Sequence, residues 1–201
     1  MNTKLKRIIA VILSVFLSWV IVYGSILPIT KSKMYIKARQ TQVSSLSDFD
    51  KTYGNVLGFI SPVGQDEIVA NYLDLIDGII AQEKNKEKPA EALIRPLVAS
   101  SSMWAEPIIE KGSSFGYSQI IYNYASVYRD AALALKDKNY YEKSLQLFKL
   151  GLKASPDRQI FLYNLFDLYT AVGDKENARI VGNRILEVYK DERVSEVLKN
   201  L

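Results

Sequence analysis

Asp74 and Asp77, three residues apart in an apolar stretch, would share one helical face, the placement that an acid–base pair of carboxylates requires. Such a pair of helical carboxylates reads as a solvated edge rather than as an acid–base pair. The 201 residues include no histidine and no cysteine, which removes imidazole catalysis, thiol nucleophiles, thiolate zinc sites and disulfides. Gly112-Ser113-Ser114-Phe115-Gly116 lacks the lysine and the preceding strand of a phosphate-holding loop. Gly54 and Gly58 have G-x-x-x-G spacing but lie outside the apolar run, so they read as a local turn or a close helix contact rather than a dimer face. No catalytic residue, cofactor or metal site is therefore assigned, and the chain is expected to bind rather than to catalyse.

Recognition chemistry resides further along, on residues whose meaning depends on the helices that carry them. Residues 117–156 and 159–190 fall into register at a spacing of 34, the period of the tetratricopeptide repeat. With Pro156 as the closing proline of that motif, Tyr128, Ala131, Ala132 and Leu135 occupy its first-helix positions. Ser144, Phe148 and Gly151 then occupy its second-helix positions. The second copy reads Leu162, Leu165, Phe166 and Tyr169, then a Gly173-Asp174 turn, then Ala178, Gly182 and Ile185. Small residues are expected where two antiparallel helices cross, and large ones in the adjacent holes. Phe166 where a small residue is usual, Gly182 where phenylalanine is usual, and Lys190 in place of the closing proline suggest looser packing in the second copy. Val194, Val197, Leu198 and Leu201 read as a closing helix, because a two-helix unit cannot bury its own face.

In such stacks the first helix of each pair lines a concave face. Offset from the packing residues, Arg129, Leu133, Lys136, Ile160, Tyr163, Asp167 and Thr170 would point into that groove. A cationic edge, an aromatic ring and an acid suit an extended peptide or an amphipathic helix of a protein partner. Equally, the preceding helix, residues 66–82, can cover them, or they are simply solvated.

Residues 8–29 are uncharged and mostly apolar, and as a helix they would extend roughly 33 Å, close to a bilayer's hydrocarbon thickness. The rival reading is a signal peptide cleaved before Ser25, but the apolar run continues past Gly24 and is long for a signal core. Three cations precede the run, and Lys31, Lys33, Lys37 and Arg39 follow it, so the flanking charges leave the orientation undecided. The latter four can rest on anionic headgroups, at about 1 kcal/mol each at best, or act as a plain stop-transfer flank. Removing these seven flanking cations from 26 leaves 19 against 22 acids. Residues 40–201 are thus slightly acidic, and no nucleic-acid surface is expected.

Between the run and the repeats, Phe49, Tyr53, Leu57 and Ile60 recur at helical spacing after a capping Ser45 or Ser47. Ser61-Pro62-Val63-Gly64 breaks the chain, and Ile68 to Ile80 carries an apolar stripe. Pro89 is read as the first residue of the next helix. Pro96 and Pro107 predict that residues 90–110 are kinked or broken. The expected organisation is a basic tail over 1–7, a transmembrane helix over 8–29 and a juxtamembrane helical segment over 30–60. Degenerate helical repeats follow over 61–116, then two tetratricopeptide-type repeats with a capping helix over 117–201. The fold class is all-α.

The order of Ile26-Leu27-Pro28-Ile29, Ala38-Arg39-Gln40 and Ser61-Pro62-Val63-Gly64-Gln65-Asp66-Glu67-Ile68 carries a further likeness. With Ser155-Pro156-Asp157-Arg158-Gln159 and Tyr169-Thr170-Ala171-Val172-Gly173-Asp174, it resembles the last membrane helix and carboxy-terminal repeat domain of bacterial O-antigen polymerase and ligase-like membrane proteins. The catalytic loop of that family has no counterpart here, so no catalytic residue carries over. What the resemblance implies is a repeat module at the bacterial cell membrane, with its repeats outside the cytoplasm. Two functions follow as expectations: an anchored adaptor for a protein or peptide partner, or a non-catalytic accessory of envelope polysaccharide, glycoprotein or secretion machinery.

Overall fold

The computed structural model describes residues 3–42, 45–114 and 116–201. It is helical, and no strand occurs among the described residues. The chain divides into two compact units, Met1–Ile68 and Val69–Leu201.

The first unit begins with α1 (Thr3–Ile21), a π-helical turn (Val22–Ile26) and α2 (Leu27–Gln40), which run on without interruption. The ladder slips at the π turn, where the Leu27 N–H bonds the Val22 carbonyl one residue before Pro28, which has no N–H to give. No residue of α1 or of the π turn is buried. This continuous helix, Thr3–Gln40, is long and apolar enough to cross a membrane, where its closed backbone ladder leaves no polar group unmet. After Gln40 the chain turns into α3 (Leu46–Leu57). Its N-cap is Ser45, whose Oγ accepts the Asp48 N–H at 3.1 Å. Phe49, Tyr53, Val56 and Leu57 form the buried face of α3, and Ala38 is buried on α2. The expected stripe ends one turn early: Gly58 closes α3, its N–H bonding the Gly54 carbonyl at 2.8 Å, and Ile60 is left exposed. The G-x-x-x-G pair is thus a helix terminus, with no neighbour packed against Gly54.

From Gly64 the chain continues into α4 (Gln65–Lys84), α5 (Glu91–Lys111), α6 (Tyr117–Leu135), α7 (Lys138–Ala154), α8 (Gln159–Ala171), α9 (Lys175–Val188) and α10 (Glu192–Asn200). Pro89 lies outside α5, ahead of the Ala90 N-cap, rather than opening it. Pro96 and Pro107 both lie inside α5, which is not broken by them. Each proline removes the bond to the carbonyl four residues back, on Ala92 and Met103, and both of those residues are exposed and can be met by water.

In the second unit α6 pairs with α7, α8 with α9, and α7 bridges to α8. Buried residues repeat at 34: Tyr128 and Leu162, Ala131 and Leu165, Ala132 and Phe166, Ser144 and Ala178, Phe148 and Gly182, Gly151 and Ile185. Close approach explains the small members. A Cβ on Gly151 would lie 2.2 Å from the Phe161 ring, and Ser144 Oγ donates to the Ala125 carbonyl at 2.9 Å. The second hairpin is not loose. Phe166 is buried, and a Cβ on Gly182 would sit 2.8 Å from both Phe166 and Leu198. Phe166 and Gly182 compensate: large and small exchange places between the helices.

The turns do not keep the same register. Asp137 and Asp174, which cap α7 and α9, fall three residues out of the 34-residue spacing. Three residues approximate one helical turn, so α6 gives up its last turn to α7 while the crossing residues keep their faces.

Candidate functional site

Helices α4, α6, α8 and α10 are joined one to the next by polar contacts. Asn123 of α6 donates to the Ala70 carbonyl of α4 at 2.7 Å, and Lys84 pairs with Asp130 at 3.0 Å. Arg129, beside Asp130 on α6, bonds it through Nε at 2.8 Å and reaches α8 through a hydrogen bond to Asn164 Oδ1. From α8, the Tyr163 hydroxyl donates to Asp191 at 2.5 Å, Asp167 pairs with Arg193 at 3.3 Å, and the Arg193 guanidinium lies over the Tyr163 ring. Asp191 is the N-cap of α10 as well as the acceptor for Tyr163. The Tyr163 hydroxyl, and next the Val194 N–H, hold its carboxyl below the usual range.

Sequence reasoning placed Arg129, Leu133, Lys136, Ile160, Tyr163, Asp167 and Thr170 along this line, and the structure gives them different surroundings. Leu133 and Asp167 are exposed, Ile160 is half-buried, and Lys136 is an exposed left-handed residue at the end of α6. Thr170 Oγ1 donates to Phe166 on its own helix. Arg129 and Tyr163 are engaged by the chain itself, as glue between neighbouring first helices.

The solvated edge expected of Asp74 and Asp77 holds for only one of them. Asp74 is exposed, whereas Asp77 is half-buried, its Oδ1 lacking a hydrogen-bond partner. Burial, followed by repulsion from the Asp130 carboxylate, pushes Asp77 up to about 7, with Arg129 and Lys84 pulling the other way. Two acids and two cations from α4 and α6 thus share one interior corner. Asp130 itself is only 2% exposed. The sequence held one sign of this: Lys84 follows Asp77 by seven residues, two helical turns along the same face.

A second polar cluster joins α5, α6 and α7. Tyr124 Oη lies 2.9 Å from Ser102 Oγ and 3.1 Å from Glu106 Oε1, and Lys143 pairs with Glu106 at 3.1 Å. Burial drives the Tyr124 hydroxyl upward, away from ionisation, which suits a structural hydrogen bond better than proton transfer. Among the described residues no group of three or more acids is placed to hold a metal ion. The chain matches no protein-family model, no curated protein and no solved structure.

Proposed function

We propose that this protein is a membrane-anchored adaptor of tetratricopeptide type, holding a protein or peptide partner along its line of first helices. One observation carries the reading: an apolar helix with no buried residue precedes hairpins whose buried positions recur at 34 residues. The anchor fixes the chain at a bacterial cell membrane through residues 8–29, and the repeats lie outside the cytoplasm. Within the groove, Leu133, Lys136, Ile160 and Asp167 meet the partner, with Thr170 at the margin. Arg129 and Tyr163 align the helices beneath them. An apolar centre with charged edges is the composition that recognises an amphipathic segment. Binding needs no cofactor and no metal, and the protein performs no catalysis.

Photo-crosslinkers placed singly at Leu133 and Asp167 in membranes should give a discrete adduct. The same group at Ile180, exposed on the second helix α9, should give none. Adducts of equal yield from all three positions, or from none, would sink the groove.

A further inference from the structure

The loop that follows α3 carries exposed apolar side chains. Ile60 is 78% exposed and Val63 is 59% exposed, beside the exposed Pro62. Residues 52–65 contain no charge. Water-facing turns are ordinarily polar, so two bare aliphatic side chains on a neutral turn call for a neighbour.

The turn is held at a defined height. Lys31 is buried to 2% exposure, and its Nζ donates to the Phe59 carbonyl at 2.9 Å and to Gln65 Oε1. Both ends of the turn are thereby fastened to one residue of α2. Lys31 stands two residues beyond Ile29, the end of the apolar run, a rise of about 3 Å along the helix. A lysine at that level would ordinarily extend its ammonium into the headgroup water. Here the ammonium is taken by the turn. The path of the chain agrees: α2 climbs away from the run to Gln40, and α3, packed against it, returns over 12 residues. Within the turn, Ser61 Oγ donates to the Val63 carbonyl at 2.9 Å, and Gly64 takes a left-handed φ of 86°. These contacts leave Ile60 and Val63 on the outside.

We propose that the turn over residues 59–64 is a second, interfacial membrane contact, with Ile60 and Val63 embedded among lipid headgroups beside the spanning helix. The occupant is the lipid surface itself, because the turn is fastened at the level where the apolar run ends. This inference rests on the membrane-span reading of residues 8–29.

The absence of native cysteine makes the test direct. Nitroxide labels on I60C, V63C, V15C in the span and N55C on an exposed position of α3 are read in the full-length chain, reconstituted in phosphatidylcholine–phosphatidylglycerol vesicles. The measurement is accessibility to oxygen against a water-soluble nickel chelate. For I60C and V63C the oxygen-to-nickel ratio should stand several-fold above that of N55C and below that of V15C. Ratios equal to N55C, with V15C lipid-like, would overturn the interfacial contact while leaving the span intact. A label at position 60 screened from both reagents would assign the turn to a protein partner or a second copy, and would also overturn it. A water-like V15C would remove the span and the turn together.

Discussion

At the residue scale, Asp77 makes the strongest physical statement in the second unit, because its carboxyl is held near 7 rather than 3.8 by burial and by Asp130. A raised carboxyl pKa means the folded state binds the proton more tightly than the unfolded chain. This group therefore costs nothing below about pH 4. The cost grows as pH rises through the interval, and it is fully present above about 7. The interval corresponds to roughly 4 kcal/mol as an upper bound. Asp77→Asn should raise the melting temperature at pH 8 and leave it nearly unchanged at pH 4, flattening the stability profile between them. Thermal unfolding of both proteins across that range checks the expectation, and parallel profiles would show that Asp77 is not the residue responsible. Asp130 differs because Lys84 and Arg129 both reach it. Removing Arg129 would leave a buried carboxylate with one cation fewer, so truncation there tests stability as much as binding.

At the element scale, most of the helices were legible from spacing, and the reasons for the misses are local. The capping serine before α3, the left-handed Gly173 and the capping Asp174 each announce themselves by residue type. Pro96 and Pro107 do not break α5, because the penalty of an internal proline depends on whether the abandoned carbonyl is wet, which spacing does not reveal. The Asp77–Asp130 corner was hidden for a related reason. Asp77 with Lys84, and Arg129 with Asp130, are each local pairs, and only helix stacking brings the two pairs together across more than forty residues of sequence. The Phe166–Gly182 pair was visible as two departures from a motif, and only three-dimensional packing shows them to be one exchange. It predicts a double-mutant result. Gly182→Phe alone should disrupt the second hairpin, since even a Cβ meets Phe166 and Leu198 at 2.8 Å. Adding Phe166→Ala should recover much of the loss by restoring the Ala132 and Phe148 arrangement of the first hairpin. Overpacking at one site typically costs about 1–3 kcal/mol, and the coupling between the two changes should be of similar size and favourable. Additive losses in chemical denaturation would mean that the two positions do not share a packing space.

At the scale of the whole molecule, the division of labour follows from where apolar surface is left uncovered. The hairpins bury theirs against one another, whereas α1 and the π turn bury none. A helix with every side chain outward is unstable in water as a lone appendage and costs nothing in a bilayer, because its backbone bonds are already closed. Full-length protein should therefore remain with membranes through an alkaline carbonate wash. A chain beginning at Lys31 should be recovered in the soluble fraction with its circular-dichroism helicity retained. Charge cannot orient the molecule, since the cations before and after the run nearly balance. The proposed topology keeps the amino-terminal tail inside and the repeats outside. A reporter fused after Leu201 that works only beyond the cytoplasm should accordingly be active, and one that works only in the cytoplasm should be silent. The opposite pattern would keep the anchor and reverse the topology, placing any partner in the cytoplasm. A mature amino terminus at Ser25 would instead show that the run is cleaved. The remaining helix from Leu27 would then be too short to span, and the repeats would have to find the membrane through a partner.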